Sequence, residues 1–189
     1  MPDRDMLMQM EKETLIDMLE DAAKNWLAHD GLWFQAVEKQ DDLDTAIELD
    51  RQAWKVFTQV EAKRIMARHG IEPGGGLEAL EKALQMRLYA RVNDQTHYRV
   101  DDKTLRFEMT ECRVQVARER KGLPAFPCKS VGIVEYAYFA HTIDPRIRTE
   151  VIVCPPDLRP EGSFCTWQFT LQEEPIPEDK VLDVEFMFG

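Results

Sequence analysis

The sequence predicts an α+β fold: an N-terminal three-helix region, then a ββαββ unit whose antiparallel sheet packs on helices. Three observations lead there. Apolar residues recur at helical spacing from Glu11 to about Tyr89, they alternate along short runs from His97 onward, and glycines and prolines punctuate the change of period. The same boundaries divide the chain into a helical region (1–92), a cysteine-containing region (93–172) that makes one compact unit with the helices, and an acidic tail (173–189).

Leu15, Met18, Leu19, Ala22, Trp26 and Leu27 form one helical stripe, continued past Gly31 by Leu32, Phe34 and Val37. Asp41, Asp42 and Asp44 are helix-start signals for a second stripe (Ala46, Leu49, Ala53, Val56, Phe57, Val60, Ile65), which stops near Gly70. Glu72-Pro73-Gly74-Gly75-Gly76 breaks the chain, and residues 77–92 read as a third helix. Residues 97–100 and 105–109 read as strands joined at Asp101-Asp102-Lys103. The second strand runs on through Cys112, Val114 and Val116; its inward face switches from odd to even numbers near Met109-Thr110, the mark of a bulge. A helix over 128–142 follows, then strands at 147–153 and 164–171, and the acidic tail leaves the core.

Composition bounds the function. A chain of 189 residues can bury about 70% of its unfolded surface, enough for a core without staples. The net charge of −11 argues against nonspecific nucleic-acid binding. Met1-Pro2-Asp3-Arg4-Asp5 is not a secretory start, and no apolar run is long enough to span a bilayer, so the expectation is a cytoplasmic protein with no membrane partner. Its four cysteines are then expected as free thiols in a reducing compartment. Phe186-Met187-Phe188 ends the acidic tail with an apolar docking point for a second copy, hence an expected homodimer.

Residues 112–130 hold five cations (Arg113, Arg118, Arg120, Lys121, Lys129) and one acid, Glu119, and two cysteines bracket them. The stretch is either an anion site or the solvated end of a strand. Cys112, Cys128, Cys154 and Cys165 form no CxxC knuckle, yet a hairpin between the last two strands sets 154 opposite 165, so a thiolate site for zinc or iron is geometrically open. Buried packing of the same thiols is the competing reading. Cys128 stands out, because a helix N-terminus, Lys129 and the nearby arginines favour the thiolate that a nucleophile or metal ligand needs. In the first helix Trp26, His29 or Asp30, and Trp33 share a face, which makes either an aromatic pocket with a titratable group or an ordinary core. Asp50, Trp54, Phe57, Glu61 and Arg64 stack on the second helix, and without an ExxH pair they do not read as a di-iron bundle.

Four segments carry a family resemblance: Asn25-Trp26-Leu27-Ala28-His29-Asp30-Gly31-Leu32-Trp33-Phe34, Glu111-Cys112-Arg113-Val114-Gln115, Phe126-Pro127-Cys128-Lys129-Ser130-Val131-Gly132, and Cys154-Pro155-Pro156-Asp157. Together they resemble an uncharacterised family of cytosolic proteins from anaerobic bacteria and archaea, over residues 12–172. Residues 95–172, with Cys154 and Cys165-Thr166-Trp167-Gln168-Phe169, are more distantly similar to the L-2-amino-thiazoline-4-carboxylate hydrolase-like proteins and to the 4-vinyl reductase domain, a small-molecule-binding module. That likeness implies a ligand pocket between helix and sheet with the cysteines near it.

Three readings follow. In the first, an enzyme acts on a small carboxylate-bearing compound: Arg113 and Lys129 hold the carboxylate, Trp33 and Glu61 line the ligand site, Cys128 is nucleophile or metal ligand, and His29 or Glu61 is acid or base. In the second, the chain is a non-catalytic sensor or carrier of a small molecule. In the third, the cysteines only pack.

Overall fold

A computed structural model describes residues 4–158 and 160–182. A short helix α1 (Arg4–Met8) precedes two long helices, α2 (Lys12–Gln40) and α3 (Leu43–His69). The Asp42 carboxylate accepts the Thr45 N–H at 2.7 Å and caps α3, and Gly70 ends it with a left-handed φ of 60°, so the predicted start and stop both hold. Gly31 sits inside α2 without interrupting it, but Leu32 is 63% exposed, so the predicted apolar stripe does not continue through it.

The third helix is shorter than its pattern. Helix α4 spans Gly76–Leu84, and a 3-10 turn at Leu88–Arg91 follows in place of the predicted continuous helix. Arg87 departs from helical geometry (φ −67°, ψ 154°) to carry its guanidinium into the interior, where Glu61 and Glu135 receive it. Burial of one charged side chain thus overrides local propensity.

Strands β1 (Asp94–Asp101), β2 (Thr104–Glu111), β3 (Ile147–Val153) and β4 (Cys165–Leu171) form one antiparallel sheet in the order β1-β2-β4-β3. Asp94 pairs with Glu111 and Gln95 with Met109, which leaves Thr110 as an extra residue on β2, where the bulge was predicted. The strand does not continue beyond it. Arg113–Arg120 is a helix, α5, which corrects the strand read through Cys112, Val114 and Val116 and makes the unit ββααββ. Asn93 Oδ1 accepts the Arg113 N–H at 2.8 Å in the first turn of α5, and its inward residues are polar, Gln115 and Arg118. A period-two reading of the three apolar positions missed that buried polar face.

Helix α6 (Lys129–Ile143) is the centre of the molecule, with eleven of its fifteen residues buried between α3 and the inner face of the sheet. Phe107, Trp167, Phe169 and Ile147 supply that inner face, while Arg106, Gln168 and Glu150 hydrogen-bond across the wet one. Gly132 is required where α6 crosses the sheet: a Cβ there would lie 2.8 Å from the Trp167 ring. One hydrophobic cluster runs from Ala62 and Leu80 in the helices to Phe139 and Phe169, so the helical and sheet regions share a core. The tail, expected to leave the core, packs on it as far as it is described: the Ile176 N–H donates to Pro145 O at 2.8 Å, and Val181 and Leu182 lie against the main cluster. The apolar 186–188 end lies outside the described residues. Among the described residues no helix is long and apolar enough to cross a membrane.

Candidate functional site

A cavity of about 550 Å³ opens where α2, α3, α5, the N-terminal half of α6 and the end of the sheet meet. All four cysteines line it, together with Trp54, Tyr89, Tyr136 and Trp167 and three carboxyls, Asp30, Asp50 and Glu135. A cavity of this size, mostly apolar and with few polar groups, suits a small organic molecule.

One corner is built of thiols. Cys128 is the residue that precedes α6, its side chain makes no capping hydrogen bond, and its Sγ lies 3.6 Å from the Cys154 Sγ. Gln115 fixes this loop: its Oε1 accepts the Phe126 N–H at 3.0 Å, and its Nε2 donates to Phe126 O at 2.7 Å and to the Cys128 Sγ at 3.4 Å. The hydrogen bond from Cys154 is the main influence holding the Cys128 thiol below its ordinary pKa, with Gln115 adding to it, and together they outweigh burial. Cys154 is the proton-bearing partner, its own titration pushed upward by its hydrogen bonds to Cys128 and Cys165 and by burial.

Cys165 accepts the Trp167 Nε1–H at 3.3 Å, and Cys154 lies one residue past β3, whose Val153 pairs with Thr166. The hairpin therefore brings 154 beside 165 as the spacing suggested. Burial pushes the Cys112 thiol up to about 12. Among the described residues no three or more His, Cys, Asp or Glu side chains converge closely enough to hold a metal ion. The thiols ring a corner of the cavity without making a ready-formed zinc or iron site.

The other corner is acidic. Burial, with the charges of Asp30 and Glu135 nearby, raises Asp50 to about 7. Burial likewise raises Glu135 to about 7, although Arg87 opposes the shift, and it raises Asp30. Arg87, 2% exposed, hydrogen-bonds Glu61 through Nε at 2.9 Å, and its Nη1 lies 2.6 Å from Glu135 Oε1 in an ion pair without hydrogen-bond alignment. The guanidinium also lies 4.6 Å from the Phe139 ring centroid and 5.4 Å from that of Tyr136. Neither Arg87 nor Glu61 lines the cavity; Glu135 is the member of this network that does.

The remaining predicted site residues separate. Arg113 stands exposed at the rim, and among the described residues only its backbone N–H is engaged. Lys129 does not line the cavity; its ammonium pairs with Asp157 at 2.9 Å. Arg118 is likewise taken, bidentate with Glu38 at 3.0 Å, so two of the five cations of the stretch are paired with acids from outside it. His29 and Trp33 lie on the exposed side of α2, with Trp33 68% exposed, and neither lines the cavity. The face that does runs through Leu27, Asp30, Gly31 and Phe34. Trp26, placed by the same pattern, packs instead in an aromatic cluster, stacked on Phe57 at 5.3 Å and edge-on to Trp54 at 5.9 Å.

Gln115, Glu135, Arg87 and Asp157 were not identified as site residues from the sequence. Gln115 had one visible signal, its place in the Glu111-to-Gln115 segment. Glu135 had another, as the acid in the strongly apolar stretch that forms α6.

No curated protein is significantly similar to the chain. Residues 8–171, which include every wall of the cavity, match the model of a family of unknown function, DUF6125. The chain belongs to that family.

Proposed function

We propose that this is a small-molecule-binding protein in which Cys128 acts as a nucleophile on a small carboxylate-bearing compound held in the cavity. The observation that carries this reading is the Cys128 thiol, drawn toward thiolate by Cys154 and Gln115 at the wall of an otherwise apolar cavity. The ligand's carboxylate meets Arg113 at the rim, and its body lies against Trp54, Tyr136 and Trp167. The Cys128 sulfur attacks a carbonyl-type carbon and the bond to the leaving group breaks. Glu135 or Asp50, both still partly protonated near neutrality, gives that group its proton. Water then releases the acyl group and restores the thiol, a hydrolysis. The reading places the protein in a reducing cytosol, where its four free cysteines stay thiols. Binding without chemistry, as in the 4-vinyl reductase domain that residues 95–172 resemble, is the alternative, and the aromatic walls favour it.

Intact-mass analysis after incubation with a panel of small carboxylate-bearing thioesters separates the two. One acyl adduct on Cys128, absent in Cys128→Ser, is expected. Saturable stabilisation by the same compounds with no adduct leaves the binding reading alone. Four equally slow thiols with no stabilisation would overturn both.

A further inference from the structure

Cys128 and Cys154 belong to two segments that are fastened together before any bond joins their sulfurs. The Lys129 N–H donates to Pro155 O at 2.9 Å, and the Lys129 ammonium pairs with Asp157 at 2.9 Å. The Asp157 carboxylate also accepts the Cys154 N–H at 3.2 Å. One carboxylate thus holds the residue after Cys128 and the backbone of Cys154. The sulfurs it brings together stand 3.6 Å apart, so a disulfide requires them to close by about 1.5 Å. Both cysteines line the cavity: Cys128 is partly exposed, and Cys154, 1% exposed, needs to reach only the Cys128 sulfur.

The two thiols are also unequal. Cys128 receives hydrogen bonds and leans toward thiolate, whereas Cys154 keeps its proton. Thiol–disulfide exchange needs that asymmetry, an attacking thiolate and a neighbouring thiol that resolves the mixed disulfide. Cys165 also borders Cys154, so the products must tell a 128–154 bond from a 154–165 bond, and burial pushes Cys112 too high to compete as the attacking group.

We propose that Cys128 and Cys154 form a dithiol pair that reduces a small-molecule disulfide admitted to the cavity. The inference rests on the Cys128 reactivity proposed above and adds Cys154 as the resolving residue. Cys128 thiolate attacks one sulfur of R–S–S–R; the S–S bond breaks, a Cys128–S–S–R mixed disulfide forms, and RS⁻ leaves. Cys154, giving up its proton to the departing thiolate, then attacks the Cys128 sulfur and expels the second RS⁻. The proton that Cys128 released on forming its thiolate passes through solvent to the second RS⁻, so the protein gains one disulfide and loses two electrons and two protons while the small disulfide becomes two thiols.

The test uses the full chain, reduced and free of oxygen, mixed with excess oxidised glutathione, quenched in acid, and read by intact mass and peptide mapping. The expected product has lost two hydrogens, carries no glutathione and yields a Cys128–Cys154 linked peptide. In Cys154→Ala the reaction should stop with one glutathione on Cys128, while Cys165→Ser should behave as the unaltered chain. A stable glutathione adduct on Cys128 of the unaltered chain would keep the nucleophile and overturn the resolving role. A disulfide between Cys154 and Cys165 would also overturn it, and no reaction at any cysteine would overturn the pair and count against the nucleophile as well. The peptide map of the unaltered chain decides the matter even if Cys154→Ala does not fold.

Discussion

Two corners of one cavity bury titratable groups and reach opposite outcomes. At the thiol corner Cys128 is enclosed, yet hydrogen bonds from Cys154 and Gln115 draw it toward its charged form. At the acidic corner Asp50 and Glu135 are enclosed among like charges and move toward their neutral form, even though Arg87 sits against Glu135. Burial alone penalises charge in both places; donors decide whether the penalty is overcome. One small cavity thus holds a thiol shifted toward its charged form and carboxyls shifted toward their neutral form.

Removing the shared cation should break the acidic corner most severely. Arg87→Met leaves Glu61 and Glu135 buried without their counter-ion, and loss of one partner from a buried pair costs about 3–5 kcal/mol. A large fall in the chemical-denaturation midpoint is expected, and a change below about 1 kcal/mol, the range of an exposed ion pair, would show that the network does not hold the corner together.

A smaller effect should come from Gln115→Leu, which strips the donor from Cys128 and orphans the Phe126 N–H, while Phe126 O keeps the Cys128 N–H at 2.8 Å. Each unsatisfied buried group costs about 1–3 kcal/mol. The diagnostic readout is the pH profile of Cys128 alkylation, whose midpoint should move upward. An unmoved midpoint would mean that Cys154 alone sets the thiolate.

The gentlest test is the pH dependence of stability. Asp50 is raised in the folded protein from 3.8 to about 7, so the folded state binds a proton that the unfolded state has released between those values. Its contribution is present below about 4 and is lost as pH rises to about 7; Glu135 acts in the same direction from 4.5. Asp50→Asn should flatten the decline in stability between pH 5 and pH 7, measured as the difference from the unaltered chain so that the many surface acids cancel. An unchanged slope would place Asp50 in water rather than in the acidic corner.

How far the sequence reached differs from element to element. Helices α2, α3 and α6 and strands β3 and β4 were legible because their patterns are long or sharply bounded, as at Asp42 and Gly70. Even the Thr110 bulge showed as a change of inward face. Helix α5 was not legible, because what it buries is Gln115 and Arg118, and their partners, Phe126 and Glu38, lie 11 and 80 residues away. The same holds at the site. Cys128 was legible from its helix N-terminus, and the 154–165 approach from hairpin spacing. The rotation of α2, which presents Asp30 to the cavity and leaves His29 and Trp33 in solvent, depends on which side of the helix the rest of the chain covers.

By itself the sequence determined the α+β class, the order of most elements and the place of Cys128 at a helix start, because these rest on period and chain punctuation; the partners that draw its thiol toward thiolate, Cys154 and Gln115, were set by the fold. The tertiary structure decided the rest. It drew Arg87 out of a helix to meet Glu61 and Glu135, turned Lys129 to Asp157 instead of a ligand, and set Cys154 against Cys128. These are contacts between residues distant in the chain, and the free energy of burying a charge or a thiol depends on those partners rather than on neighbours in sequence.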